Sequence, residues 1–465
     1  MKTKLLLLMT FCLFSVLPAG AQWSNNPLDN TQISYSGDEA AVPYVATHPC
    51  GTTYISWFTP GSGGNYYPWM QCLDAAGNFQ WSIPGLFISG HPSMTWITDY
   101  SMIVCPDTCA VISFQDMRAT ANDIFIYKIS PSGAFLWGPN GVQLSDNPDF
   151  EADPVLAAFP DNSVAVAWPR SPNTGDETVI MQRLSNAGVK QWSSDLVLGE
   201  SGYNYTWPRV VAAENGNTLL VNYKEWGPYY APNRIILAQK YDPSGNAVWS
   251  APATLFTGAT PVYVHPIVAA DGLGGAFVCW FYEKVANHLS TFVQHVDAGG
   301  NVTMAPNGVE VNTNSSTLHL EPNIGCDTVN HELYVFWRET DLNQNSYGLF
   351  GQRVSMDGTL HWGTNAKLFV QLSNKNVTII NVSPMKAGAI VSYFYDDWVT
   401  STQTKVRAIR VDSSGNTVWT GGYRDVSTKQ SGKGNLYAGP LANSQVVYAW
   451  WDDRLGGQQI FAQNL

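Results

Sequence analysis

The chain has 465 residues, of which 13% are charged and 13% aromatic, and its formal net charge at pH 7 is -12. This excess of acid would repel nucleic-acid phosphates, so nucleic acid is excluded as a partner. The 40 Gly and 27 Pro supply turns, and the composition is typical of a large all-β globular protein and not of a disordered one.

The first 21 residues predict a cleaved signal peptide. Lys2 and Lys4 precede an apolar run too short to span a bilayer, and the small residues "AGA" follow it before Gln22. No Cys follows the run to carry a lipid, and no later stretch reaches about 18 consecutive apolar residues. We therefore expect a secreted or periplasmic protein that begins at residue 22, has no membrane span and carries 22 basic against 36 acidic residues.

One element recurs along the chain: a strand, a turn that ends in Gly, and a Trp four residues later. Its copies are "CLDAAGNFQW", "KISPSGAFLW", "RLSNAGVKQW", "KYDPSGNAVW", "RVSMDGTLHW" and "RVDSSGNTVW", and in "HVDAGGNVTM" Met304 replaces the Trp. The glycines lie 55 to 58 residues apart, at Gly77, Gly133, Gly188, Gly245, Gly300, Gly358 and Gly415. A fixed period of this length predicts a repeat architecture.

Each period holds four strand-like runs and no helical period. The second run is apolar on both faces in nearly every copy, as in "VAVAW", "LYVFW" and "VVYAWW", so both of its faces should be covered. This run occurs eight times, around Trp57, Phe114, Trp168, Tyr223, Trp280, Trp337, Phe394 and Trp450. The pattern predicts an all-β, eight-bladed β-propeller of four-stranded antiparallel blades in a single domain, residues 22–465.

The two ends of the chain are predicted to share a blade. The eighth unit ends at "IFAQNL", before its Gly-Trp turn, and "QWSNNPLDNTQIS" at the other end supplies an unused strand with Trp23. We expect residues 22–34 to form the outer strand of the blade made by residues 435–465, because closure covers the faces that an open array would expose.

The repeated tryptophans are expected to be structural. An indole between adjacent blades stabilises the fold by burial, and the Gly provides the positive φ of the hairpin turn. The residues assigned this role are Trp23, Trp81, Trp137, Trp192, Trp249, Trp362 and Trp419.

The strand-turn-Gly-x-x-x-Trp element resembles the tryptophan-docking motif of eight-bladed quinoprotein-type propellers, although its turn is one residue shorter. The fuller patterns "WWDDRLGGQQIFAQ" and "QRVSMDGTLHWG" are similar to repeats in secreted proteins of Bacteroidetes-type bacteria. The resemblance covers essentially the whole mature chain and implies an architecture, but a fold alone does not assign a function.

Six cysteines remain after residue 21. Cys105 and Cys109 flank a tight turn in "IVCPDTCAVISF" and form the candidate disulfide, with free buried thiols as the alternative. The partners of Cys50, Cys72, Cys279 and Cys326 stay open.

The loops after the second strands carry the candidate ligand-binding residues. Six of these strands end in an acid, and the set is Asp116, Glu225, Glu283, Glu339, Asp396 and Asp452. Such carboxylates could bind sugar hydroxyls or a cation, or each could brace its own loop. Exposed aromatic side chains suit recognition, and the candidates are Tyr66, Tyr67, Trp69, Trp226, Tyr229, Tyr230, Tyr347 and Trp398.

The sequence has no H-E-x-x-H motif, no G-x-S-x-G motif and no phosphate-binding glycine loop. We therefore expect a monomeric, non-enzymatic recognition module that binds a glycan or a protein without a cofactor, with calcium left open. The alternatives are a carbohydrate-active enzyme, either hydrolase or lyase, that uses the acids above, and an envelope assembly scaffold.

Overall fold

The computed structural model describes residues 23–35, 37–61, 65–91, 100–118, 121–397 and 401–465. These residues form 33 strands and two short 3-10 turns, at Glu214–Gly216 and Ser401–Gln403. The strands are β1 (Thr31–Gln32), β2 (Ala41–Thr47), β3 (Thr53–Pro60), β4 (Tyr66–Leu73), β5 (Leu86–Phe87), β6 (Ser101–Val104), β7 (Ala110–Asp116), β8 (Asp123–Ile129), β9 (Val142–Gln143), β10 (Phe150–Glu151), β11 (Val155–Ala158), β12 (Val164–Ser171), β13 (Thr178–Leu184), β14 (Leu196–Leu198), β15 (Asn204–Ala212), β16 (Thr218–Trp226), β17 (Asn233–Tyr241), β18 (Ala253–Ala259), β19 (Ile267–Ala270), β20 (Ala276–Val285), β21 (His288–Val296), β22 (Val309–Glu310), β23 (Thr317–Asp327), β24 (Glu332–Asp341), β25 (Tyr347–Ser355), β26 (Lys367–Ser373), β27 (Lys375–Met385), β28 (Gly388–Asp397), β29 (Lys405–Asp412), β30 (Arg424–Ser427), β31 (Lys433–Ala438), β32 (Val447–Asp452) and β33 (Gln459–Asn464).

The strands pair into eight antiparallel sheets, which are the blades of a propeller. Blades 1 to 7 follow one another along the chain as β2–β5, β6–β9, β10–β14, β15–β18, β19–β22, β23–β26 and β27–β30, and blade 8 consists of β31, β32, β33 and β1. In blade 3 the first strand is split into β10 and β11, which both pair with β12. The first strands of neighbouring blades contact one another in sequence, and β31 contacts β2. The predicted eight-bladed ring is therefore confirmed.

The N-terminal strand completes blade 8, as predicted. Thr31 lies opposite Ala462 and Gln32 opposite Phe461 in antiparallel register. The backbone N–H of Ile33 extends this pairing by donating to the carbonyl of residue 460 at 2.7 Å. Because the regular ladder is only two residues long, closure also depends on side chains.

Two side chains near the N-terminus add to the closure. The buried Asn30 Oδ1 accepts hydrogen bonds from Ser427 Oγ at 2.7 Å and Arg454 Nη2 at 3.0 Å. The backbone N–H of Trp23 donates to the carbonyl of Ala76 in blade 1 at 3.0 Å. The N-terminal segment thus touches blades 7, 8 and 1.

The second strands form the centre of each blade, and their aromatic residues are fully or almost fully buried. Seven of them, Trp57, Phe114, Trp168, Tyr223, Trp280, Trp337 and Trp450, have no solvent exposure, and Phe394 is 4% exposed. Side chains from neighbouring blades share these hydrophobic clusters, which explains why the second strands are apolar on both faces.

The structure places six of the seven repeated indoles against the turn glycine of the following blade. Trp249 of blade 4 packs on Gly300 of blade 5, and its Nε1–H donates to the carbonyl of Ala298 at 3.0 Å. The equivalent indole-to-carbonyl bonds at Trp81, Trp137, Trp192 and Trp362 measure 2.8 to 3.0 Å. Trp23 packs in the same way on Gly77, which joins blade 8 to blade 1. Trp419 packs against the cluster that blades 7 and 8 share.

The turn glycine satisfies two requirements. All seven have φ between 74° and 87°, a backbone region that suits glycine. In addition, a Cβ on Gly300 would lie 2.7 Å from the Trp249 ring. The sequence pattern indicated the first requirement, whereas the second became visible only when adjacent blades were in contact.

A buried glutamine on the third strand is a repeat feature that sequence reasoning missed. It occurs at Gln71, Gln182, Gln239, Gln294 and Gln352. The Oε1 of Gln182 accepts the backbone N–H of Trp192 at 3.2 Å, and its Nε2 donates to the Trp192 carbonyl at 3.3 Å. The glutamine therefore anchors the segment that carries the docking indole. In the sequence this role was indicated by the Gln that recurs in "MQRL", "AQKY" and "GQRV".

Cys105 and Cys109 do not form the predicted disulfide, and all six cysteines in the described part of the chain are free thiols. The Cys105 side chain packs in the cluster between blades 2 and 3, whereas the Cys109 thiol donates to the Asp107 carbonyl at 3.7 Å. The two thiols therefore have separate environments, although their backbones are hydrogen-bonded at 2.9 Å. Within the residues described, no helix is long and apolar enough to cross a bilayer.

Candidate functional site

Two of the six predicted acids belong to buried Asp-x-Arg pairs. Asp116 Oδ2 lies 2.6 Å from Arg118 Nη2, and Asp452 Oδ2 lies 2.5 Å from Arg454 Nη2 and 3.5 Å from Lys433 Nζ. Burial by itself would raise the pKa of Asp452. The hydrogen bond and charge of Arg454 and the charge of Lys433 nevertheless hold this pKa below its ordinary value. Both carboxylates brace their own loops, which is the alternative that the sequence left open.

Two further acids are held by neutral donors. Glu339 is fully buried and accepts hydrogen bonds from Trp337 Nε1 at 2.6 Å and Thr317 Oγ1 at 2.5 Å. Burial raises the pKa of Glu339. Asp396 accepts a hydrogen bond from Thr404 Oγ1 at 3.1 Å. These carboxylates also bind groups of their own blades.

The last two acids differ from each other in exposure. Glu283 is exposed and accepts the backbone N–H of Asn287 in the adjoining turn. Glu225 is half-buried and pairs with Arg234 Nε at 2.7 Å. Of the six acids, Glu225 is the one that lines the cleft between blades 3, 4 and 5 described below.

The predicted aromatic cluster of blade 1 lies in β4 and not in the preceding loop. Tyr66 is half-buried, and the rings of Tyr67 and Trp69 pack edge-on against Phe87 with centroids 5.9 and 4.9 Å apart. The Trp69 Nε1–H donates to Thr59 Oγ1 at 3.1 Å. These contacts use the side chains for packing within the blade.

Two of the predicted aromatics of blade 4 are exposed, and the third is half-buried. Tyr229 and Tyr230 lie in the loop after β16 and are 88% and 81% exposed. Trp226, at the end of β16, packs edge-on against Tyr203. In contrast, Tyr347 is buried at the start of β25, and Trp398 lies outside the described residues.

The exposed loop of blade 4 borders a cleft of about 680 Å³ between blades 3, 4 and 5. The cleft opens at the strand ends that carry the second-to-third-strand loops and the segments between blades. Its aromatic lining is Phe150, Trp207, Trp226, Tyr229, Tyr263 and His265. Its polar lining includes Asp153, Ser171, Glu177, Asn204, Thr206, Glu225 and Arg234. The structure thus brings three predicted residues together here: Glu225, Trp226 and Tyr229.

A β-bulge positions one aromatic wall of the cleft. The register of β15 shifts between Thr206 and Arg209, and Trp207 in the bulge has φ of 52°, which is uncommon for a bulky residue. The Trp207 ring stacks on His265 with centroids 3.3 Å apart and 16° between the planes. Burial and the charges of Arg209 and Arg234 lower the pKa of His265 to about 3. The stack is therefore an uncharged surface at neutral pH.

Arg234 holds the loop that forms the opposite wall. Arg234 is 1% exposed, and its guanidinium pairs with Glu225 through Nε. The Nη1 group donates to Thr260 Oγ1 at 2.9 Å and to the Pro261 carbonyl at 2.8 Å. This clamp fixes the segment between blades 4 and 5, whose Tyr263 side chain is 64% exposed.

Sequence reasoning missed the contribution of the segments between blades. Trp207 and His265 stand directly before a Pro in "YTWPR" and "PVYVHP", at comparable positions of consecutive repeats. In the sequence, the contribution of these segments was indicated by an aromatic residue directly before a Pro at the start of a blade. Only the ring arrangement shows that these segments and the blade 4 loop meet at one cleft.

A second recess, of about 800 Å³, lies between the outer strands of blades 7 and 8, far along the ring from the cleft. Its polar lining includes Asn25, Tyr423, Arg424, Asp425, Gln463 and Asn464. In the described part of the chain, no group of three or more His, Cys, Asp or Glu side chains is placed to hold a metal ion.

No protein-family model and no curated protein sequence matches the chain. Among solved structures, the chain is similar to the Dos1 propeller, with 11% identity, a TM-score of 0.49 and 94% of each chain covered. It is also similar to the BP39L lectin from Burkholderia pseudomallei, with 11% identity, a TM-score of 0.48, and 82% of this chain and 98% of the lectin covered. A PL25 ulvan lyase matches with 9% identity, a TM-score of 0.46, and 93% and 95% of the two chains covered. These likenesses concern the propeller fold alone.

Proposed function

We propose that the protein is a recognition propeller that binds a glycan in the cleft between blades 3, 4 and 5. The observation that carries this proposal is the convergence of exposed aromatic rings and polar side chains in one cleft. Tyr229, Tyr263 and Phe150 are 88%, 64% and 45% exposed around it, beside Glu177 and Asn204. Aromatic faces pack against the apolar faces of sugar rings, and the polar groups bind hydroxyls.

The size and shape of the cleft favour a glycan over a protein. Its volume of about 680 Å³ lies within the range of roughly 300–1,000 Å³ that is typical of pockets for small ligands. A protein partner of standard size would instead cover about 800 Å² of broader surface. A short oligosaccharide therefore fits this concave site better than a folded partner does.

The walls of the cleft are held before any ligand binds. Arg234 fixes the Tyr263 segment through Thr260 and Pro261, and the Glu177 backbone N–H donates to Asn204 Oδ1 at 2.9 Å. Preorganised walls reduce the entropy lost on binding, and tyrosine side chains lose little because they have few rotatable bonds.

Recognition without catalysis is the simpler function for this site. The glycoside-hydrolase form of the enzyme alternative needs two carboxylates in one pocket. Of the six candidate acids, Glu225 is the one that lines the cleft, where it pairs with Arg234, so the predicted acids supply no carboxylate pair there. The signal-peptide prediction and the Bacteroidetes-type repeats favour a secreted or periplasmic location, and we propose a monomer that uses no cofactor.

A glycan array followed by titration calorimetry tests the proposal. Tyr229→Ala and Tyr263→Ala should each weaken binding of the best glycan by about tenfold or more, equivalent to about 1.4 kcal/mol. Tyr35→Ala, at a tyrosine that is 41% exposed outside the cleft, is the matched control and should bind normally. A blank array at high protein concentration, or equal loss in the control, would refute the assignment. Release of shortened or unsaturated sugars would instead support the enzyme alternative.

A further inference from the structure

A thiol and an imidazole meet in the turn between β2 and β3 of blade 1, at the strand ends opposite those that carry the cleft. Cys50 is exposed, and its Sγ lies 2.9 Å from His48 Nδ1. The Cys50 backbone N–H donates to the same nitrogen at 3.2 Å, and Thr52 Oγ1 lies 3.4 Å from Sγ. The imidazole is therefore placed to take the proton of the thiol, and the Thr52 hydroxyl to stabilise the thiolate.

These neighbours change the acidity of the thiol. Hydrogen bonds from the hydroxyl and backbone of Thr52, followed by those of His48, lower the pKa of Cys50 to about 7. The thiolate is the reactive form of cysteine, and an attacking thiol is most effective when its pKa is close to the ambient pH. The Cys50 thiol is therefore both exposed to solvent and more acidic than an ordinary cysteine thiol.

The other described cysteines have the opposite properties. Their side chains are at most 6% exposed, and burial raises the pKa of each, to about 11 for Cys109 and about 12 for Cys105. The remaining buried thiols are Cys72, Cys279 and Cys326. Cys50 is therefore the one described thiol that an external reagent can reach.

We propose that Cys50 is a thiol–disulfide exchange site that links the propeller covalently to an external disulfide. His48 Nδ1 accepts the thiol proton, and the Cys50 thiolate attacks one sulfur of the disulfide R–S–S–R. The bond between the two external sulfurs breaks, the Cys50–S–S–R bond forms, and RS⁻ leaves and takes up a proton. One disulfide is consumed and one is formed, so no further oxidant is needed. The inference is independent of the glycan cleft.

Reaction of the folded protein with a chromogenic aromatic disulfide tests the site. We expect one fast equivalent of released thiolate, with a half-maximal rate near pH 7, and no fast phase in Cys50→Ser. Thr52→Val should move the midpoint towards the ordinary value of about 8.5, whereas Thr52→Ser keeps the hydroxyl and should leave it near pH 7. A fast phase that survives Cys50→Ser, or a wild-type midpoint near 8.5, would overturn the proposal.

A second measurement identifies the source of the disulfide. The protein is incubated with an excess or a substoichiometric amount of oxidised glutathione, with air excluded, and intact mass and non-reducing electrophoresis are recorded. An adduct of one small thiol supports exchange with low-molecular-weight disulfides. A reducible covalent dimer that Cys50→Ser abolishes supports linkage to a second copy, whose Cys50 thiolate displaces glutathione from the adduct. If neither product forms between about pH 6 and 9, the exchange site is refuted.

Discussion

Gly300→Ala tests the blade-to-blade docking directly, and Gly363→Ala provides a matched control. Both glycines have φ of 86°, so an alanine at either position incurs the same left-handed backbone cost of about 1–2 kcal/mol. Space around Gly363 is open, but a Cβ on Gly300 would lie 2.7 Å from the Trp249 ring. Overpacking of this kind adds about 1–3 kcal/mol. We therefore expect Gly300→Ala to lower the free energy of unfolding by about 2–5 kcal/mol, against about 1–2 kcal/mol for the control.

Urea denaturation, followed by tryptophan fluorescence and circular dichroism, measures this difference. Trp249→Ala alone should cost about 3–5 kcal/mol, because it removes a buried indole. In that background the clash is absent, so Gly300→Ala should cost no more than Gly363→Ala. The reasoning fails if the two glycine variants are equally stable in the wild-type background, or if the extra cost of Gly300→Ala persists without the indole.

Three further predictions concern the closure and the buried charges. Deletion of residues 22–34 should lower the Tm by roughly 5 °C or more in calorimetry, because it exposes the edge of β33 and the cluster beneath Trp23, and unchanged melting would contradict closure by this segment. Lys433 has its pKa lowered to about 8, chiefly by burial, so the unfolded state binds more protons than the folded state between about pH 8 and 10.5. The free energy of unfolding of the wild type, relative to that of Lys433→Met, should therefore rise with pH across that window. A difference between the two urea midpoints that does not change with pH would contradict this prediction. Asp452 has a lowered pKa, so the stability it contributes is present at neutral pH and should be lost on acidification below about pH 4, in wild type but not in Asp452→Asn.

The blades could be predicted from the sequence because their determinants are local and repeated. Strand length, two-sided apolar patterning and the Gly of each hairpin turn act within one repeat of 55 to 58 residues. The closure could be predicted by counting, since the sequence has eight second strands but only seven of the turns that end in Gly. The assignment of loop aromatics to one face was less accurate. Tyr66, Tyr67 and Trp69 belong to β4, which begins at Tyr66.

The candidate site could be predicted only in part. Glu225 was predicted as an acid at a strand end, and Trp226 and Tyr229 as aromatics of the loop that follows, so their sequence proximity indicated that they lie close together. The partners of the six acids could not be assigned, because Asp116 and Asp452 find an arginine two residues away but Glu339 finds none. Those outcomes depend on which side chains fill the space beside each carboxylate.

The sequence by itself determined the number of blades, the order of strands and the residue types at each interface, because these follow from periodicity and from the size of Gly and Trp. Only the tertiary structure decided that Trp207, Tyr229 and Tyr263 share a cleft, that Cys50 is exposed beside His48 while the other described thiols are buried, and that six of the indoles pack on a glycine of the next blade. The physical reason is that contacts between different repeats depend on the angle and spacing of adjacent blades, and packing of the whole ring sets those quantities.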